Sequence, residues 1–518
     1  MFGYCMRKLK LVLICLGSIG LCLSFQTLNR EGSIDVSELT ITKIHASYKK
    51  GSYTSQQLVS AYLERIDQFD KQINSITALN PQAMAIAKEL DEEYKKTRML
   101  RPLHGIPIIV KDNIQTKGLA TTAGSLALQN FLPDEDAFVI DKLVKAGAIV
   151  IAKSNMGEWA FTPFNTFSST HGETLNPYNL EYVPAGSSGG TAASIASNFG
   201  TVGLGTDTGN SIRGPSSHCS LVGFRTTLGL ISREGIVPCR LRNDVVGPMC
   251  RSVEDATRVM EVMVGIDPND ALTNYSDGKA VKNYTQFLSK NGLKGARIGV
   301  LTELIEANPD PEIKALFEKS LADMKAVGAV IVDPVTIPEF AKLRENQWCD
   351  DFRADIELYL ANNVKSDTLK TIEDIIRVGT KSKTAPDRLI YLAKNSGRQI
   401  NPEIRCLDAY SDVRRIAFRK AIEDEMDRLH LDAIVYPSWN NKPAKVVDFL
   451  KDYKGDNSRV IAPHTGQPAF TVPMGFTTGN LPVGIQFLGR MYSEPTLIKL
   501  TYSYEQATKH RVAPVIEK

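Results

Sequence analysis

The stretch 186–214 constrains this chain more than any other, because it is dense in glycine, serine and threonine yet cannot be a flexible linker. Within it, 192–196 and 202–204 are apolar and have to be buried. Glycine-rich backbone inside a core marks a place where something approaches the main chain closely. The rest of the chain can supply such a core. Its 518 residues are 43% apolar and 23% charged, which excludes wholesale disorder. Lys plus Arg number 61 against 58 Asp plus Glu, a net charge of +3 that excludes nucleic-acid binding through a dense basic field. The 37 glycines and 25 prolines are near average, so collagen-like and low-complexity classes are excluded too. At about 150 residues per domain the length allows about three domains. No internal repeat and no Pro/Ser-rich linker divides it, so one large domain is expected.

Hydrophobic spacing places elements around that stretch. Residues 37–70 read as helices, with Leu58, Tyr62, Ile66 and Phe69 three or four apart. Residues 81–98 read as another, with Ala83, Ile86, Ala87 and Leu90 on one face. Strands are expected at 106–110 and 148–152, with a helix over 136–146 between them. Residues 298–301 and 329–332 flank a helical segment at 311–326, a second β-α-β unit. Residues 338–430 are mostly helical and charged. Strands are expected again at 433–436, 469–472 and 484–487, with a closing helix over 495–508. The fold class is therefore α/β, a mixed twisted sheet covered by helices on both faces.

The N-terminal segment stands apart. Arg7, Lys8 and Lys10 precede the apolar run 11–25, which matches a signal-peptide core better than a membrane span of about 20 residues. Residues 1–25 are assigned to a signal peptide or an N-terminal anchor, and 30–518 to the folded domain. Export to a periplasmic, extracellular or secretory compartment follows as an expectation. Of eight cysteines, Cys5, Cys15 and Cys22 fall in that segment. The remaining Cys219, Cys239, Cys250, Cys349 and Cys406 are odd in number, widely scattered and without a CxxC. They indicate neither a zinc site nor a disulfide-rich scaffold and read mostly as buried small residues. A disulfide within the Cys219–Cys250 group is open to an exported chain.

Several catalytic patterns can be weighed. Gly186-Ser187-Ser188-Gly189-Gly190 fits G-x-S-x-G, but Pro184 spoils the strand that a nucleophile elbow needs before Ser188. A His-dependent esterase using His218, His430, His464 or His510 is one reading. The glycines at 203, 205 and 209 have the wrong spacing for a dinucleotide fingerprint. Ser47 and Lys50 lie in a polar, basic run. What remains is tighter. Lys111 ends the apolar run at 106–110, where an amine is costly unless paired or neutral, and a neutral amine is a competent base. A strand-end lysine that snorkels to water is the alternative. Gly205-Thr206-Asp207-Thr208-Gly209-Asn210-Ser211-Ile212-Arg213 leads small residues into one serine, and backbone N–H groups of such a turn can converge on an oxyanion. Asp207 and Arg213 could brace the turn as an ion pair.

Lys-Asp-Asn at 111–113, Gly-Ser-Ser-Gly-Gly at 186–190 and Gly-Thr-Asp-Thr-Gly-Asn-Ser-Ile-Arg at 205–213 together resemble the amidase signature family. The segments 221–238 and 482–490 resemble its continuation, and the likeness covers roughly Ser37 to His510. The resemblance implies a Ser-Ser-Lys triad, with Ser211 as nucleophile, Ser187 as the bridging serine on a cis peptide and Lys111 as base. It places oxyanion and substrate-binding groups at Thr208, Gly209 and Asn210, and gives Ser188 a supporting role. Asn210 stands where the family usually has glycine, and it bears on substrate choice.

The activity so implied is amide hydrolysis, releasing a carboxylate and ammonia or an amine from a linear, non-peptide C–N bond through a seryl acyl-enzyme. It requires no cofactor and no metal. The partners expected are a small-molecule or peptide amide, no nucleic acid, no membrane beyond the N-terminal segment, with a homodimer open. Rival readings are the glutaminase subunit of a tRNA-dependent amidotransferase, the His-dependent esterase, and an exported binding protein with a degenerate site. The far wall of the pocket is expected within 338–430 and around Trp439.

Overall fold

The computed structural model describes residues 34–305, 309–395 and 406–517. The leader assigned to 1–25 lies outside them. One mixed sheet of eleven strands organises the molecule. In chain order the strands are β1 (Ile76–Leu79), β2 (Ile106–Lys111), β3 (Ala148–Ser154), β4 (Val202–Asp207), β5 (Val222–Arg225) and β6 (Val245–Cys250). Then come β7 (Arg297–Leu301), β8 (Val330–Val335), β9 (Ala433–Pro437), β10 (Ala469–Thr477) and β11 (Leu481–Leu488). Their spatial order is β1-β3-β2-β4-β6-β5-β10-β11-β9-β7-β8. β3, β2 and β4 run parallel, as do β9, β7 and β8; the antiparallel strands fill the middle.

The central strands are buried along their whole length, which requires cover on both faces. That is why their sequences read as continuous apolar runs rather than as alternating patterns. Helices α1 (Ile41–Lys50), α2 (Ser55–Ile73), α3 (Ala83–Thr97) and α4 (Phe138–Lys145) form where apolar residues recur at three and four. Thr54 starts α2 with a reciprocal capping box to Gln57. The expected β-α-β unit is present, with Pro311–Ala326 crossing between the parallel β7 and β8.

Four strands escape a pattern reading. β4 reads from the sequence only as a buried apolar stretch at 202–204, because Gly203 and Gly205 interrupt it. β1 is only half-buried, and β5 and β6 are interrupted by Gly223, Gly247 and Pro248, residues that depress strand propensity. Tertiary pairing holds them: Gly223 faces Met249, and Phe224 faces Phe470. The cysteine expectation also needs correction. Cys219, Cys239 and Cys250 are free and buried, whereas Cys349 and Cys406, 57 residues apart, are disulfide-bonded. Sequence distance hid the pair, because chain topology brings the two Cα atoms to 5.8 Å. Among the described residues, no helix is long and apolar enough to cross a membrane.

Candidate active site

The parallel strands β2 and β4 end side by side, and the segments after them meet. β2 ends in Lys111, fully buried. Its Nζ donates to Ser187 Oγ at 2.8 Å and to Thr206 Oγ1 at 2.8 Å, and lies 3.4 Å from the Thr206 carbonyl. Burial lowers its pKa from 10.5 to about 7, with Cys239, Asp207 and Asp244 pulling weakly the other way. A lysine in this place is therefore a neutral amine over much of the physiological range.

Ser187 follows a cis peptide bond to Gly186. Immediately after it the chain enters helix α5 (Gly189–Ala196), all of it buried. This helix packs so closely that a Cβ on Gly190 would meet the Asn155 backbone, which explains a glycine there. Ser188 Oγ donates to the Thr206 carbonyl at 3.2 Å and contacts the Thr206 amide at 3.4 Å. That tie braces β4 and leaves Ser188 a structural group, not an exposed elbow nucleophile. No strand precedes it, and Tyr182 makes only an isolated bridge to Lys445.

The turn after β4 carries Ser211, which is 4% exposed. Among the described residues, the backbone N–H groups of Thr208, Gly209, Asn210 and Ser211 donate to no protein acceptor. Four unpaired donors on one buried turn would be costly unless they serve an oxygen that arrives later. The turn is held from below. Asp207 accepts from the Ile212 amide at 3.1 Å, from Arg213 Nε at 3.1 Å and from Arg225 Nη1 at 2.9 Å. Burial would raise this carboxyl, but the two guanidinia outweigh it and hold it at about 2. Arg213 Nη2 also donates to the Gly209 carbonyl at 2.6 Å, which fixes the carbonyl away from the donors. Thr208 Oγ1 donates to Asp244 at 2.6 Å, and Asn210 Nδ2 to the Pro163 carbonyl at 3.3 Å.

Every sequence-predicted site residue thus lies at one place. The Ser188 amide sits 3.3 Å from the Ser211 carbonyl, which brings the two serine segments together. Lys111 and Ser187 are in contact, and among the described residues no hydrogen bond joins Ser211 Oγ to Ser187 Oγ. The expected far wall is present in part. Trp348 Cη2 lies 3.2 Å from the point a Gly209 Cβ would occupy, and Trp439 Cζ3 lies 3.0 Å from that of Gly214. Two partners escape sequence reasoning, Thr206 as acceptor for Lys111 and Asp244 as anchor for Thr208. Thr206 stands within the 205–213 motif; Asp244 carries no sequence signal. A second buried amine, Lys153 on β3, escapes it too, although it follows an apolar run just as Lys111 does.

A buried amine, a hydroxyl beside it and a turn of amide donors without protein acceptors thus stand together at the ends of the parallel strands. The Amidase family model matches residues 57–498, and this chain belongs to the amidase signature family. The chain is 33% identical to the "Probable amidase" of Arabidopsis thaliana over 505 residues, 93% of this chain and 92% of that one. It is 33% identical to a glutamyl-tRNA(Gln) amidotransferase subunit of Microcystis aeruginosa over 486 residues, 90% of this chain and 97% of the other. Among solved structures, the native peptide amidase from Stenotrophomonas maltophilia superposes with a TM-score of 0.84 at 34% identity, covering 93% of this chain and 99% of that one.

Proposed function

We propose that this chain hydrolyses a linear carboxamide through a Ser-Ser-Lys triad. The supporting observation is the 2.8 Å contact between a fully buried Lys111 and Ser187, set beside a turn of unpaired amide donors that carries Ser211. Neutral Lys111 takes the Ser187 proton while Ser187 takes that of Ser211, so Ser211 Oγ forms a bond to the amide carbon. The carbonyl π electrons move onto oxygen, where the N–H groups of 208–211 stabilise the charge. The proton returns through Ser187 to the leaving nitrogen, the C–N bond breaks, and ammonia or an amine departs. Water then hydrolyses the acyl-enzyme by the same relay. Replacing Ser211 by Ala should abolish ammonia release while leaving the circular dichroism spectrum unchanged; turnover at the unmodified rate would refute the assignment.

The peptide amidase likeness makes C-terminal peptide amides the first substrates to try, with aliphatic and aryl amides beside them. A second reading is favoured by the likeness to one component of a glutamyl-tRNA(Gln) amidotransferase. The two separate on one measurement: an autonomous amidase releases ammonia as a purified single chain, whereas a glutaminase subunit does so only with added partners. Among the described residues no hydrogen bond links a histidine to Ser188 or Ser211, which counts against the esterase reading. Labelling of Ser211 by a fluorophosphonate would exclude a degenerate binding protein. We also assign the chain to an oxidising compartment, because a disulfide between Cys349 and Cys406 persists there. Thiol titration of the native chain should find both blocked; two free thiols at those positions would count against export.

A further inference from the structure

We propose that a pocket beside the oxyanion turn, built around Arg459 and Trp348, binds a carboxylate carried by the amide substrate. This rests on the amidase reading and narrows its substrate class. The pocket has a volume of about 360 Å³, and Arg344, Trp348, Tyr453, Lys454, Asp456 and Arg459 line it. It adjoins the site directly: Trp348 Cη2 comes within 3.2 Å and Arg459 Nε within 3.6 Å of where a Cβ on Gly209 would stand. Gly209 carries one of the four free amide donors. A substrate whose carbonyl oxygen meets this turn can reach the pocket with a short acyl chain.

Charge and partnering single out Arg459. Two guanidinia, Arg240 and Arg459, stand over the Trp348 ring, each 5.1 Å from its centroid. Arg240 is satisfied by Asp350, which also takes Arg388 at 2.8 Å. Arg459 donates to the Tyr453 hydroxyl at 3.0 Å; Asp456 favours its charge from nearby but forms no ion pair with it among the described residues. The Trp348 ring and the Tyr453 hydroxyl restrict the guanidinium, and a restricted fork with spare donors suits a carboxylate. Arg344 and Lys454 add two more cations to the same pocket. The one acid in the lining, Asp456, accepts from the Tyr453 hydroxyl at 3.0 Å. Burial pushes that carboxyl up to about 7 against the pull of Arg459, and with three cations to one acid the lining is net positive whether or not it is ionised. His464 lies edge-on to Trp348 at 4.5 Å; burial and four nearby arginines keep it neutral.

The test compares two amides of matched length, glutaramate with a terminal carboxylate and valeramide with a methyl in its place. We expect the purified chain to prefer glutaramate by about tenfold in kcat/KM, carried mainly by KM. Arg459→Gln should bring the ratio of the two substrates close to one, and Arg459→Lys should restore part of it. A preference below about threefold in the unaltered chain, or a ratio that Arg459→Gln leaves unchanged, overturns the proposal. If neither amide reacts, the amidase reading is tested separately on C-terminal peptide amides, and the pocket is tested by binding. Titration calorimetry of glutarate into the full chain then decides the pocket: binding lost in Arg459→Gln supports it, and no binding to the unaltered chain overturns it.

Discussion

Lys111 and Lys153 are a natural comparison. They sit on neighbouring parallel strands almost in register, with Val110 opposite Lys153 and Lys111 opposite Ser154. Both are fully buried, and burial lowers both, Lys111 to about 7 and Lys153 to about 8. Their partners differ. Lys111 meets two hydroxyls, Ser187 and Thr206, each at 2.8 Å. Lys153 meets the Ile114 carbonyl and the Thr121 hydroxyl at 3.0 Å, and the neighbouring Asp112 favours its charged form. Burial perturbs both lysines and each touches a hydroxyl, Lys111 that of Ser187 and Lys153 that of Thr121; the base role is proposed for Lys111 because Ser187 adjoins the turn that carries Ser211.

That contrast can be broken experimentally. The largest effect should come from Lys111→Ala, which should lower kcat/KM by about 10³-fold or more in a folded chain. Activity close to normal would show that the amine is not the base. Ser187→Ala should be as damaging, because the hydroxyl lost there carries the proton. Next, Lys153→Met should cost about 3 kcal/mol of stability by removing the buried positive charge that favours ionised Asp112, leaving it the Thr122 hydrogen bonds, read as a lower Tm. Adding Asp112→Asn should recover much of the loss. If Lys153→Met instead silenced a stable enzyme, the two lysines would share the chemistry.

The third effect is on pH dependence. kcat/KM should rise about tenfold per pH unit below pH ~7 and level off above it, as Lys111 loses its proton. Stability should move the same way. Both lysines have folded pKa values below the free value of 10.5, so the unfolded chain holds more protons between those limits and stability rises with pH. The window runs from about 7 to 10.5 for Lys111 and from about 8 to 10.5 for Lys153. Lys111→Met should flatten the lower part of the melting-temperature profile, and a persisting slope at pH 7–8 would assign it elsewhere. The smallest effect should be that of Thr121→Val, about 1 kcal/mol of stability with an unshifted pH–rate profile.

Much of this was legible from particular residues. Apolar runs marked β2, β3 and β7, and helical spacing marked α2 and α3. The 186–190 and 205–213 segments were readable because their small residues stand where a core should be. Val222–Arg225 and Val245–Cys250 were not, since glycine and proline hide strands whose pairing comes from distant chain. Lys153 and Lys111 were indistinguishable by local rules. The Cys349–Cys406 bond and the place of Trp348 were invisible, as both depend on contacts across the fold.

The amino-acid sequence by itself determined which side chains can do chemistry here: one amine ending a buried strand, and serines set in glycine-rich turns. Periodicity and residue size are local properties, and they carried that much. Tertiary structure alone decided which lysine touches Ser187 and which arginine beside Trp348 forms no ion pair. Those are outcomes of distance between segments remote in the chain, and electrostatics and proton transfer both depend on distance.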